Sequence, residues 1–374
     1  MAKVFDIAIL GGTPASLAAG YHLAKSGRSV VLVDSPTDGH ESPLCDWAPA
    51  SLFSLDGMPK SLPKKCSATA FRSVRYHNVD FSKQAEHRGR TVLGYFLHPS
   101  RLCKALATEA RKAGVSIRKA KRLPEVELQE TGVRLSGTCK SKARLLLFAG
   151  GSASNAIGHL AMPNGGAFPS QLSIAGLDIP LTPAVAREIT DKSLNLVETP
   201  KRSDLGMVFV SGNMLHARVM SESSGEAPGV EELSNLIVGL RDVGILPSRL
   251  ALGKADGAVW RPQAGVAMEM NSHTAKRCLL AGSAGGFAAA VTGQTLYPSI
   301  HSALLAARCA TSVLDQGDES IQEHLSVFKT SWRETLGPYL SPPDASLQML
   351  VPLLFANKRV VPRFTRSLLN GDKI

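Results

Sequence analysis

The residues with the clearest chemical meaning sit in two glycine-rich turns far apart in the chain. Near the start, "ILGGTPAS" puts Gly11 and Gly12 between an apolar run and an Ala/Leu-rich run, and Asp34 closes a second apolar run. A helix N-terminus attracts an anion through its free N–H groups and its dipole. An acid at the end of the second strand accepts from ribose hydroxyls. Together these describe dinucleotide binding. Counted as GxGxxG from Gly11, the second glycine position holds Thr13 and the third Ser16. The second position normally lets the backbone approach a pyrophosphate, and Thr13 adds bulk there, whereas Ser16 is small enough for helix–strand packing. The other turn, "AGSAGGFAAAVTGQ" at 281–294, is costly to order unless its backbone must approach something.

The elements that position these turns follow from pattern. Val4–Leu10 reads as a strand, Ala15–Lys25 as a helix closed by Gly27, and Ser29–Val33 as a second, parallel strand. Residues 35–66 read as an irregular excursion and Arg101–Ala113 as an amphipathic helix. Short strands are expected near 115–118, 125–129 and 132–136, and a buried one at Arg144–Phe148. From about 165, prolines and alternating runs predict an antiparallel sheet, with a helix over 230–241. A strand at Cys278–Ala281, a long helix at Leu296–Val313 and a helical, basic end over 319–374 complete the chain.

Composition bounds the function. The chain has 374 residues, 44% hydrophobic and 20% charged, enough for a sizeable core. No 18-residue apolar run predicts a membrane span, and the N-terminus lacks a signal peptide's long apolar region. The six cysteines are far apart and form no CxxC or zinc-like spacing, which favours reduced thiols, a cytoplasmic location and no metal. The net charge of +11 is uneven: residues 60–122 hold 16 Lys/Arg and three acids, a local +13, so the rest nets about −2. A solvated surface, an anionic lipid surface or a phosphorylated substrate accommodates that lobe. Nucleic acid is disfavoured, because no binding motif or stacking aromatic series accompanies the charge.

Read end to end, the chain resembles the geranylgeranyl reductase-like flavoproteins, relatives of the p-hydroxybenzoate hydroxylase type. "FDIAILGGTPASLAAGYHLAKSGRSVVLVD" resembles their GxGPAG opening, with Pro14 and Ala15 in place. "SPLCDWAPASLFSL" is similar to their "PCGEGLSP" segment, where Cys45 matches and Asp46 replaces glycine. "HPSRLCKALATEARKAGV" resembles an Arg-led helix, with Arg101 at the family arginine near the flavin's dinucleotide part. In "RLLLFAGGSAS", Gly150 replaces a signature aspartate, while Gly151 and Ser154 match. In "CLLAGSAGGFAAAVTGQTLYPSIHSALLAA", Gly282, Gly286, Thr292 and Gly293 match, Ser283 replaces the second aspartate and Gln294 a glutamate. The family's second aspartate bonds the ribityl chain of FAD. Losing such a charge-assisted bond costs about 1.5–3 kcal/mol, roughly 10- to 100-fold in affinity.

The resemblance implies an α/β fold: a Rossmann-like FAD-binding domain with an inserted, mostly antiparallel β substrate domain and C-terminal helices. Its parts are residues 1–164 and 271–318 for the FAD domain, 165–270 for the substrate domain and 319–374 for the helical end. The implied cofactor is FAD, held by Gly11, Gly12, Pro14, Ala15, Ser16, Asp34, Arg101, Gly282, Ser283, Gly286, Thr292, Gly293 and Gln294. Cys45 is the candidate catalytic residue, lining the flavin's reactive face; the competing reading is a buried structural thiol. The implied activity is reduction or oxidation of an apolar, isoprenoid-like small molecule or lipid. A monooxygenase of the same fold, or a non-catalytic relic that has lost tight FAD, are the alternatives. The final "LQMLVPLLFANKRVVPRFTRSLLNGDKI" pairs an apolar run with basic residues. It suggests either peripheral attachment to anionic membranes or an ordinary core helix over the flavin domain.

Overall fold

A computed structural model describes residues 4–34, 41–162, 172–190, 192–200, 205–221, 229–250, 255–317, 321–341 and 347–372. The first strand, β1 (Val4–Leu10), helix α1 (Pro14–Lys25) and the strand β2 (Val30–Asp34) form the expected parallel βαβ unit. β1 reads as nearly unbroken apolar sequence because the sheet is covered on both faces. Its one acid has a local partner: Asp6 Oδ2 accepts from the backbone N and the hydroxyl of Ser29, both at 2.8 Å, tying β1 to the start of β2.

The parallel sheet runs Cys278–Leu280, Ser141–Phe148, β1, β2 and Ser116–Lys119. A hairpin, Val126–Leu128 with Val133–Leu135, joins the Ser141–Phe148 strand antiparallel. One face is covered by α1, Pro99–Lys112, Leu296–Gln316 and Ile321–Leu340, which share a core with Ile7, Ile9 and Leu32. The other carries the short helix Ala153–His159 and a smaller core around Leu10, Val33 and Phe148.

The second sheet has seven strands, in the order Asp256–Trp260, Ser173–Pro180, Met214–Ser221, Leu205–Ser211, Leu194–Glu198, Ser73–His77 and Gln84–Arg88. It is antiparallel except where Leu194–Glu198 pairs parallel with Ser73–His77. Two of its strands therefore come from residues 73–88, a stretch whose sequence reads as part of the basic lobe. Within the expected excursion, residues 41–66 are more ordered than their composition suggests. Asp46–Pro49 pairs with Gly94–Leu97 in a three-stranded sheet, and short helices form at Ala50–Ser54 and Leu62–Lys65. The expected domain boundary at 165 lies outside the described residues.

Rings fill the space between these layers. Phe71, Phe96, Phe209 and His216 form one stack, with successive centroids 4.6, 4.3 and 4.8 Å apart. The C-terminal helices Leu347–Ala356 and Val360–Asn370 close the same core with Leu350, Leu354, Val361 and Phe364, and Tyr76 Oη meets Thr365 Oγ1 at 2.7 Å. They thus cover the second sheet rather than the dinucleotide unit. No helix among the described residues is long and apolar enough to cross a membrane.

Candidate functional site

Three turns converge at the C-terminal ends of the parallel strands, the place where open α/β sheets hold ligands. Gly11 has φ +122°, and a Cβ added there would lie 2.8 Å from Gly150 Cα. The reverse substitution fares no better, since a Cβ on Gly150 would lie 2.7 Å from Gly11 Cα. The two glycines are mutually required: Gly150 is where the β1–α1 turn touches the neighbouring strand. Gly282, with φ +58°, brings the third turn in, because its Cβ would lie 2.8 Å from Ala149 O and 3.1 Å from Ala15 Cβ.

Thr13 does its own capping here. Its Oγ1 accepts from Ser16 N at 3.3 Å and donates to Ala149 O at 3.0 Å, and Ser16 Oγ donates to Thr13 O at 2.8 Å. One of the free N–H groups of the first turn is thereby satisfied within the chain. Pro14, Ala15 and Ser16 are buried in that turn. The Asp34 carboxylate reaches Gly12, where a Cβ would overlap its Oδ1 at 1.9 Å. Cys103 lies alongside, with its Sγ 3.7 Å from Gly12 O. Burial pushes its thiol up to about 12, helped by the charges of Glu41 and Asp34.

Glu41 was not singled out by sequence, yet its carboxyl is buried in this cluster. Burial raises it to about 7, against a lowering by the neighbouring Ser283 hydroxyl. The pair lacks hydrogen-bond geometry, so Glu41 Oε1 and Ser283 Oγ are both buried without a bonded partner. The rest of the 281–294 stretch is committed to packing. Gly286 and Gly293 lie against Val266 and Pro262. Thr292 Oγ1 accepts from Gln294 N at 3.3 Å. Gln294 donates to Trp47 O at 3.0 Å and accepts from Tyr297 N at 3.2 Å. Arg101 is exposed at the first turn of its helix, within electrostatic reach of Cys45 and His98.

A second cluster forms where the Cys45 segment meets the second sheet. Asp178 and His216 stand opposite each other on the strands Ser173–Pro180 and Met214–Ser221, and Arg218 stands opposite Gly176. That glycine makes room for the guanidinium, since a Cβ there would lie 2.8 Å from Arg218 Cδ. Arg218 donates to Asp178 Oδ1 at 2.7 Å, to Cys45 O at 2.5 Å and to Leu177 O at 3.0 Å, and lies over the Trp260 ring at 5.6 Å. His216 Nδ1 is 2.9 Å from the same Asp178 oxygen, close enough to stabilise its charge though off the angle of a hydrogen bond. Cys45 N donates to Asp178 Oδ2 at 3.2 Å.

The electrostatics separate two carboxyls in this cluster. Burial works to raise Asp178, but His216 and Arg218 outweigh it and hold it at about 2. Burial raises Asp46 to about 6, opposed by the Trp47 N–H at 2.8 Å and by Arg218. Such divergence within one cluster is the pattern that sorts a fixed charge from a proton carrier. Cys45 has its thiol pushed up to about 12 by burial and by Asp178, so at neutral pH it is protonated. Its contribution as placed is its backbone, which anchors both Asp178 and Arg218.

No family model matches the chain, and no curated protein matches it in sequence. Solved structures do match it over nearly its whole length. A geranylgeranyl bacteriochlorophyll reductase-like protein from Thermoplasma acidophilum aligns with a TM-score of 0.72 at 14% identity, over 99% of this chain and 97% of that one. The p-nitrophenol 4-monooxygenase PnpA from Pseudomonas putida aligns at 0.70 and 16% over 100% of both. CtdE, solved in complex with FAD, aligns at 0.65 and 12% over 98% of this chain and 99% of that one. The chain therefore has the fold of the FAD-dependent oxidoreductases that these reductase-like proteins and monooxygenases share.

Proposed function

We propose that this chain binds FAD and is an oxidoreductase acting on an apolar, isoprenoid-like substrate. The observation that carries the reading is the convergence of the Gly11, Gly150 and Gly282 turns at the C-terminal ends of the parallel strands, packed backbone to backbone. Asp34 beside Gly12 suits a ribose hydroxyl, and the orphaned Ser283 hydroxyl and Glu41 carboxyl suit a ligand with polar groups of its own. These residues fit the dinucleotide and sugar parts of the cofactor. The Thr13 cap leaves fewer free N–H groups for its pyrophosphate. When bound, FAD supplies transfer of hydride or electrons.

The chain's own residues do the rest. Asp178, Arg218 and His216 form a fixed polar floor against the ring stack, and Asp46 is the carboxyl in that cluster that can hold or release a proton near neutral pH. We also propose peripheral contact with anionic membranes. A surface groove of about 430 Å³ is lined by Arg72, Arg75, Arg88 and Lys192. Near it, Arg366 lies within electrostatic reach of His87, and Leu353 is exposed on the C-terminal helix. Titration with FAD, followed by quenching of flavin fluorescence, tests the cofactor on which the activity depends.

A further inference from the structure

Two polar atoms in the cradle have nothing to bond. Ser283 is only 6% exposed, yet its Oγ has no partner, and Glu41 Oε1 is buried in the same condition. Buried groups left unpaired in a folded protein call for an explanation, and a ligand is one. If the pair served the fold alone, Ser283 would need only to turn its hydroxyl onto the carboxyl. It lies close enough to affect the acid but not in bonding geometry.

Their surroundings show what would fit. Ser283 follows Gly282, which packs on Ala15 and Ala149. Cys103, within electrostatic reach of Glu41, lies against Gly12 O. The carboxyl thus lies beside the Ser283 turn and within electrostatic reach of the cysteine that touches Gly12. A carboxylate only accepts, and a serine hydroxyl donates or accepts. A ligand hydroxyl satisfies both at once, by donating to Glu41 and accepting from Ser283. A phosphate fits poorly, since it is an anionic acceptor facing a carboxyl.

We propose that Glu41, entering from the segment after β2, is the acidic acceptor for a sugar or polyol hydroxyl of the bound dinucleotide, with Ser283 bonding the same hydroxyl from the other side. The acid missing at position 283 is then supplied from a different part of the chain. The proposal rests on the FAD reading above.

The test is FAD affinity of the full-length wild-type protein, Glu41→Gln and Glu41→Ala, with the melting temperature of each ligand-free protein at pH 8. Loss of a bond to a charged acceptor is expected to weaken FAD by about 10- to 100-fold. The ligand-free variants are expected to melt no lower than wild type, which a purely structural role would not give. Riboflavin and ADP as separate probes locate the hydroxyl: the one whose binding weakens in the variants carries it. FAD binding to Glu41→Gln as tight as, or tighter than, to wild type would overturn the proposal while leaving the FAD reading intact. Absence of FAD binding by the wild type would overturn both.

Discussion

Glu41 and Asp178 are buried acids with opposite energetics. The folded value for Glu41 is raised to about 7 from an ordinary 4.5. Between those values the unfolded chain loses the proton and the folded protein keeps it, so stability falls as pH rises through the window. Above it the penalty is at most about 3 kcal/mol. Glu41→Gln is therefore expected to raise the melting temperature of the ligand-free protein at pH 8 and to change it little at pH 5. Equal shifts at both pH values would contradict the buried carboxyl. Asp178 runs the other way, held down to about 2 from 3.8. Its stabilisation is present above 3.8 and is lost as pH falls through about 2. Asp178→Asn leaves the Arg218 guanidinium buried without its counter-charge, a loss of about 3–5 kcal/mol. A urea midpoint measured at pH 7 checks this, and a loss below about 1 kcal/mol would show that the Arg218 network does not depend on the charge.

The strands and turns differ in how far sequence reveals them. The β1–α1–β2 unit was legible because its periodicity changes sharply at a glycine turn and its strands are apolar on both faces. The hairpin at 73–88 was not, because its outer strand Gln84–Arg88 alternates charged and half-buried residues at a sheet edge and reads as basic loop. The Asp178, His216 and Arg218 cluster was also missed. Strand register joins residues 38 apart in sequence, and no local spacing reports it. Isolated charges within "LDIPL" and "LHARV" were the one available signal. Gly150 shows the limit of reading a motif by its losses. As sequence it is a missing aspartate, but in the fold it is the surface on which Gly11 rests. Gly150→Ala is accordingly expected to cost about 1–3 kcal/mol in denaturant unfolding, since the new methyl meets backbone rather than a flexible side chain. A neutral substitution would mean that this turn is looser than its contacts imply.

Charge and cofactor are properties of the molecule as a unit. The basic lobe at 60–122 joins the Arg-lined groove on the second sheet, so its +13 acts partly at one surface. Each basic residue near an anionic membrane contributes about 1 kcal/mol, and the contribution is screened by salt. Binding to vesicles containing phosphatidylserine at low salt, and release at high salt, is the expected result of co-sedimentation. Binding indifferent to lipid charge and to salt would contradict an electrostatic contact. The central claim is that a fold shared with FAD-dependent enzymes still holds its cofactor here despite the altered turns. Purified wild-type protein titrated with FAD tests it directly. Saturable quenching of flavin fluorescence at one FAD per chain, together with a rise in melting temperature, is the expected result. No quenching and no thermal shift across the titration would contradict it.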